Sequence, residues 1–178
     1  LCDIKPGTTW TTLWDFAPFN ATGSQEMESL LGSSSVFESP KPVGLLRHVL
    51  EAGTRKDSIV LDFFAGSSSM AHAVLSQNKL DGGERRFIMI QLDEGCPPES
   101  EAAKAGFNTI ADLSRERIRR AIDAISSEIG GTEVGLDIGF RSLKVDSTSF
   151  SQINKPPDAL LQERLLADTS SVKDDRSS

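Results

Sequence analysis

Apolar positions along the chain fall into helical stripes and short continuous runs that alternate with one another. Leu45, Leu46, Val49 and Leu50 recur at helical spacing and predict a helix over Val43 to Ala52. Pro42 suits its entry, because the N–H that proline lacks has no partner in a first turn, and Gly53 suits its end. Ser58 to Phe64, read Ser-Ile-Val-Leu-Asp-Phe-Phe, is a nearly unbroken apolar run and predicts a strand of a parallel sheet, buried on both faces. After the turn Ala65-Gly66-Ser67, a helix capped by one of Ser67, Ser68 and Ser69 is expected to run to about Asn78. Arg86 to Leu92 repeats the buried-strand pattern. A further helix, capped by Ser114 and stopped at Gly130-Gly131, puts Ile118, Ala121, Ile122, Ile125 and Ile129 on one face. Gly139 to Val145 is expected to be a third strand. Strand and helix in alternation mean an α/β fold, a parallel sheet with flanking helices and right-handed crossovers.

Residues 1–36, rich in Thr, Ser and Gly and carrying Trp10 and Trp14, read as an irregular lead-in from a preceding region. Residues 37–150 hold the α/β pattern, and residues 151–178 read as a polar tail with one amphipathic stretch around Leu160 to Leu166. The chain begins with Leu1 rather than Met and is expected to be cut from a longer protein.

Composition narrows this picture. The 178 residues are 38% hydrophobic and 25% charged, which suits one folded domain. Apolar runs fall far short of the roughly 20 residues that cross a bilayer, and no signal peptide opens the chain. No membrane association and a cytoplasmic location are therefore expected. Cys2 and Cys96 show neither metal nor disulfide spacing, which fits a reducing compartment, and no metal site is expected. The net charge of -7 argues against a free-standing DNA binder, which needs a basic face to displace counterions from phosphate.

The candidate chemistry lies in Asp62-Phe63-Phe64-Ala65-Gly66-Ser67-Ser68-Ser69, where a strand empties into a tight turn and a helix starts at once. Open α/β sheets bind ligands at such strand ends. Gly66 permits a sharp bend and close approach of a ligand, and the helix start offers unpaired N–H groups to a carboxylate. Asp62 at the strand tip suits an ammonium group, so an amino-acid moiety, such as the methionine end of S-adenosylmethionine, is matched at both ends. A residue about 20 positions beyond the glycine turn, at the end of the second strand, typically meets a ribose in dinucleotide folds. Here that strand end holds Gln91 and Asp93, which share one side of the strand. A glycine turn that merely connects strand to helix is the competing reading.

Several blocks together resemble one family. Val60-Leu61-Asp62-Phe63-Phe64-Ala65-Gly66-Ser67 resembles motif I of amino-methyltransferases acting on DNA. Ala71 to Leu75, Asp81 to Ile88, Gln91-Leu92, Thr109 to Arg120 and Gly139-Phe140-Arg141 are similar to the methylation subunits of type III restriction–modification systems, and Phe37 to Pro42 resembles the family's motif X. The likeness runs from about Trp10 to Phe150. It implies a partial Rossmann-like S-adenosylmethionine-dependent methyltransferase fold. Phe37, Lys41 and Pro42 would line the methionine pocket beside Asp62, Phe63, Phe64 and Gly66, with Gln91 facing the adenosine. The implied reaction moves a methyl group to the N6 amine of adenine. Double-stranded DNA would be held through an N-terminal half outside this chain, with a second methylation subunit and a restriction subunit as partners.

Two features depart from the family pattern. The usual Gly-Ser-Gly-Thr-Thr is here Gly66-Ser67-Ser68-Ser69-Met70, so Ser68 carries a side chain where glycine leaves the backbone bare. The Asp-Pro-Pro-Tyr tetrapeptide that grips the flipped base is missing: the chain has no Tyr, and its Pro-Pro pairs read Cys96-Pro97-Pro98-Glu99 and Lys155-Pro156-Pro157-Asp158. No catalytic residue is therefore assigned, and the chain alone is expected to be inactive. A degenerate non-catalytic domain and a cytosine-N4 methyltransferase fragment are the alternative readings. His48 and His72 are expected to pack or face solvent, and Arg115, Arg117, Arg119 and Arg120 to form a solvated, ion-paired helix face.

Overall fold

A computed structural model gives the fold of residues 20–129 and 138–145. Trp10, Trp14 and the polar tail lie outside these described residues. Helix α1 (Asn20–Leu31) and helix α2 (Val43–Gly53) precede strand β1 (Ile59–Asp62). Helix α3 (Ser69–Asp81) leads to strand β2 (Arg86–Met89), then the single turn α4 (Glu101–Lys104) and the long helix α5 (Ile110–Ile129).

β1 and β2 pair in parallel, Ile59 opposite Arg86 through Asp62 opposite Met89. The ladder continues past the strands, since the Ile90 amide donates to the Asp62 carbonyl (2.8 Å) and the Ala65 amide to the Ile90 carbonyl (3.1 Å). The sequence expectation of strand, helix, strand thus holds in its first unit. α3 is buried on several sides, small and polar residues included: Ser69, Ala71, Ala73, Val74, Leu75, Gln77 and Asn78 are all covered. Val74 and Ala73 meet Val43 and Leu50 of α2, while Ala71 and Leu75 meet Ile118 and Ile125 of α5. Val60, Phe87 and Met89 close the core from the sheet.

Four expectations change. The lead-in is not wholly irregular: α1 forms within it because Met27 is buried with Val36, Ala102 and Leu113, so tertiary packing outweighs a weak local signal. α5 starts before Ser114, at a reciprocal cap in which the Thr109 hydroxyl accepts from the Asp112 amide and the Asp112 carboxylate from the Thr109 amide, both 3.1 Å. Among the described residues the sheet is covered on one face only. Ile59, Leu61, Phe63, Ile88, Ile90 and Leu92 alternate along the other and are each 44–72% exposed. Finally, residues 139–145 form no strand. Ile138 and Phe140 pack on the α3–α5 cluster instead of pairing, and a segment without a ladder partner is not a strand. A second compact unit begins at Arg141, and its described residues 141–145 have no regular structure.

The junction between α3 and β2 is held by a buried arginine. Arg85 binds Asp81 (3.0 Å) and donates to the Thr54 hydroxyl (2.9 Å), while its backbone is bracketed by the Asn78 amide group. Burial works against the Asp81 carboxylate, but hydrogen bonds from Arg85 and Gln77, the Arg85 charge and the Gly83 amide outweigh it and hold its pKa below the usual range. Gly83 belongs to this knot for lack of a side chain: a Cβ there would lie 2.6 Å from Arg85 Nη1 and 2.7 Å from Asp81 Oδ1.

Candidate functional site

At the C-terminal end of β1 a cavity of about 200 Å³ opens between the turn that enters α2 and the turn that enters α3. Phe37, Ser39, Lys41 and Leu46 form one wall, and Asp62, Phe64, Ala65, Gly66, Ser67, Ser69 and Met70 the other. Its two charged side chains are the cation of Lys41 and the carboxylate of Asp62. One Asp62 oxygen accepts the Phe64 amide (3.1 Å), which fixes the carboxylate at the strand tip.

Gly66 has φ +51, the left-handed region, and the Phe37 ring lies against it. A Cβ on Gly66 would sit 3.0 Å from Phe37 Cζ, so both conformation and space demand glycine. Gln91 braces the same bend: its side-chain oxygen accepts the Gly66 amide at 2.8 Å. Ser39 (φ 56) and Ser68 (φ 58) are the non-glycine residues with positive φ among those described, and they sit in the two turns that frame the cavity. Strain of this kind gathers at ligand sites.

Of the residues named from sequence, Phe37, Lys41, Asp62, Phe64, Ala65, Gly66 and Ser67 come together around the cavity. Pro42 is buried behind the wall, Phe63 points along the exposed sheet face, Gln91 holds the turn from outside, and Asp93 is an exposed residue past β2. Ser39, Leu46 and Met70 also line it and were missed, and Ser69, read from sequence only as a possible helix cap at the turn, lines it as well. Ser68 is the position where a side chain threatened backbone access. It is fully buried, and its hydroxyl turns away to bond that of Ser114 on α5 rather than line the cavity. It flanks α3 without capping it through its side chain.

The residue most at odds with its sequence reading is Arg117. Instead of joining a solvated face it is fully buried behind the serine turn. Nη1 donates to the Ser67 hydroxyl (2.8 Å), the Ser69 hydroxyl (2.7 Å) and the Met27 sulfur (3.1 Å). Nη2 faces Glu26 Oε2 at 3.8 Å, and Nε and Nη2 have no hydrogen-bond partner. Burial pulls its pKa down to about 10, with Glu26 acting in the opposite sense, so the guanidinium stays charged at neutral pH. Glu26 itself is pushed above the usual carboxylate range by burial, against the opposing hydrogen bond from the Val43 amide and the charge of Arg117. One signal for burial was available: Arg117 lies beside Ile118 and one helical step before Ala121, on the stripe already marked as core. Arg119 and Arg120, by contrast, are ion-paired with Glu116 as the sequence reading expects, while Arg115 pairs with Asp112, a partner that reading did not name.

Beside Arg117, burial and the neighbouring guanidinium lower the His72 pKa to about 4, with Glu128 opposing, and its Nδ1 is left without a partner. No helix among the described residues is long and apolar enough to cross a membrane.

A parallel strand pair, a glycine bend at the strand end and a cavity lined by one cation and one carboxylate make a candidate ligand site in an α/β unit. Comparison with known proteins says which kind. The family model for DNA methylase matches residues 4–101, more than half of the chain. The Mod subunit of the type III restriction–modification enzyme StyLTI of Salmonella typhimurium is 42% identical over 135 residues, 76% of this chain and 20% of that protein. The EcoPI Mod subunit of Escherichia phage P1 is 43% identical over 99 residues (56% of this chain, 15% of the relative). The type II methyltransferase M.KpnI of Klebsiella pneumoniae is 33% identical over 113 residues (63% and 27%).

The chain belongs to the DNA methylase family, and the likeness to type III methylation subunits read from its motifs is borne out. Membership implies a methyl donor. The chain spans about a fifth of the length of the StyLTI Mod subunit and 15–27% of the three relatives named.

Proposed function

We propose that this chain is the cofactor-binding part of a site-specific DNA methyltransferase of the type III restriction–modification kind. The parent enzyme would move a methyl group from S-adenosylmethionine to the exocyclic N6 amine of adenine. The observation that carries this reading is the cavity at the end of β1, whose lining brings together Lys41, Asp62 and the Gly66 bend.

The donor set fits the methionine end of that cofactor. Asp62 offers a carboxylate to the ammonium group. Lys41 and the amides opening α3 suit the carboxylate. Phe37, Leu46 and Met70 offer apolar surface to the thioether chain. About 200 Å³ suits an amino-acid moiety rather than a whole nucleoside, because pockets for drug-sized ligands run from about 300 Å³ upward. The adenosine would then lie beyond the cavity mouth, towards Gln91 and Asp93 with Phe63 and Phe64 nearby. Bound there, the cofactor supplies a sulfonium-activated methyl group. The chain's residues contribute binding and orientation: two opposite charges and a rigid bend fix the amino-acid end.

On this reading the segment over residues 37–150 carries the donor half of a Rossmann-like methyltransferase sheet, the lead-in joins it to the preceding region, and residues 151–178 are an appended tail. Base gripping, target choice and most DNA contact would fall to an N-terminal half that this chain does not span; a second methylation subunit and a restriction subunit would be the partners, in the cytoplasm.

Calorimetric titration with S-adenosylmethionine tests the reading. Saturable binding is expected, weakened about tenfold or more by Asp62→Ala, the scale of one charge-assisted hydrogen bond. Absence of heat, or equal affinity in the variant, would contradict it.

A further inference from the structure

A buried arginine where a leucine would complete the apolar stripe of α5 is an expensive choice. Leu113, Ile118, Ala121 and Ile125 surround that stripe, and a buried charge with two unpartnered donors is commonly less stable than an apolar residue of similar volume. The arrangement therefore asks for a purpose other than core filling. Its contacts supply one. Nη1 reaches both Ser67 and Ser69 from behind the turn, while both serines also line the cavity. A hydroxyl that accepts from a guanidinium keeps its own proton to donate. One proton can serve the 3.4 Å contact between the two serines, which leaves the other for the cavity. On its other side Nη2 faces Glu26, whose carboxylate accepts the Val43 amide at 3.0 and 3.2 Å, the first N–H of α2.

We infer that Arg117 is a positioning residue: it turns the Ser67 and Ser69 hydroxyls into donors for an anionic group in the cavity, and through Glu26 ties that turn to the start of α2, the opposite wall. Only a planar fork makes both connections from one side chain; a lysine presents a single point charge. The inference rests on the methyl-donor reading for the identity of the anion, the carboxylate of the methionine end, but not for the tie.

Two measurements on the full chain separate these. The first is the ratio of affinities for S-adenosylmethionine and its decarboxylated form. The intact chain is expected to prefer the carboxylate-bearing donor by about tenfold or more. Ser67→Ala with Ser69→Ala is expected to bring the ratio close to one, and Ser69→Thr, which keeps the hydroxyl, to retain it. Merely loosening the fold weakens both ligands alike and leaves the ratio unchanged, and an unchanged ratio in the double variant would overturn the proposal. The second is amide hydrogen exchange in Arg117→Lys without ligand. Faster exchange at Val43 and at residues 66–69 together, with Asn78 to Arg85 unaffected, supports the tie. Faster exchange at the serine turn alone would refute it. If exchange is coupled while the intact chain binds neither donor, the methyl-donor reading falls and the tie stands.

Discussion

Ser68 holds two opposing effects in one residue. Its left-handed backbone (φ 58, ψ 38) costs an L-residue about 1–2 kcal/mol, and its buried bond to Ser114 returns about 1 kcal/mol. Ser68→Gly is therefore expected to change stability by less than about 1 kcal/mol, because strain and bond are lost together. Ser114→Ala removes only the bond and should cost about 1–2 kcal/mol. Urea denaturation of both variants checks the pair; a larger loss for Ser68→Gly than for Ser114→Ala would contradict this account. His72 gives a pH dependence whose sign follows from its environment. Its folded pKa of about 4 lies below the ordinary 6.5, so between these values the unfolded chain binds a proton that the folded chain refuses. Its contribution is complete above pH 6.5 and is lost as pH falls towards 4, on the order of 3 kcal/mol at the acid end. Glu26, with its raised pKa, has the opposite slope at acid pH, since its folded form takes up a proton more readily than the unfolded chain. Denaturation at pH 7 and pH 4.5 should therefore be compared between the intact chain and His72→Leu, where the difference isolates His72. The variant is expected to lose less stability on acidification.

At the scale of elements, the knot at the end of α3 decides how β2 enters the sheet. Gly83→Ala drives a methyl group into Arg85 and Asp81 and is expected to cost about 2 kcal/mol, read as a lowered denaturation midpoint with an unchanged slope. An unaffected midpoint would mean that the knot adjusts freely. The elements also show what a sequence can and cannot disclose. α2, β1, α3 and β2 were legible because each carries its own period: a leucine stripe, two unbroken apolar runs and a glycine turn. α1 was not, because its main buried apolar anchor, Met27, has meaning only against Leu113 and Ala102 far along the chain. The expected strand over 139–145 failed for a related reason, since a strand is defined by its partner and not by its residues alone. Within the site, Asp62 and Gly66 were readable from the strand–turn–helix pattern. Arg117 was misread because charge was weighed ahead of position, although its place on the apolar stripe of α5 was plain.

For the molecule as a whole, the sheet's second face is the dominant feature. Six large apolar side chains, from Ile59 to Leu92, stand exposed on a two-stranded sheet, and open strands with apolar faces template association. The isolated chain is expected to self-associate in sedimentation experiments, and Leu61→Lys with Ile88→Glu, an opposed pair on that face, to shift it towards monomer. An isolated, unsubstituted chain that stays monomeric at every concentration would contradict this. Seen at the same scale, the net charge of -7 and the absence of Tyr agree with a division of labour in which this unit seats the methyl donor and another grips the base.

The central claim is the seat itself, and a crystal structure with S-adenosylmethionine bound tests it most directly. The account predicts the ammonium group at Asp62, the carboxylate among Lys41, Ser67, Ser69 and the first amides of α3, and the Phe37 ring still against Gly66. A methyl donor bound at any other place, with the cavity at the end of β1 left empty, would contradict it.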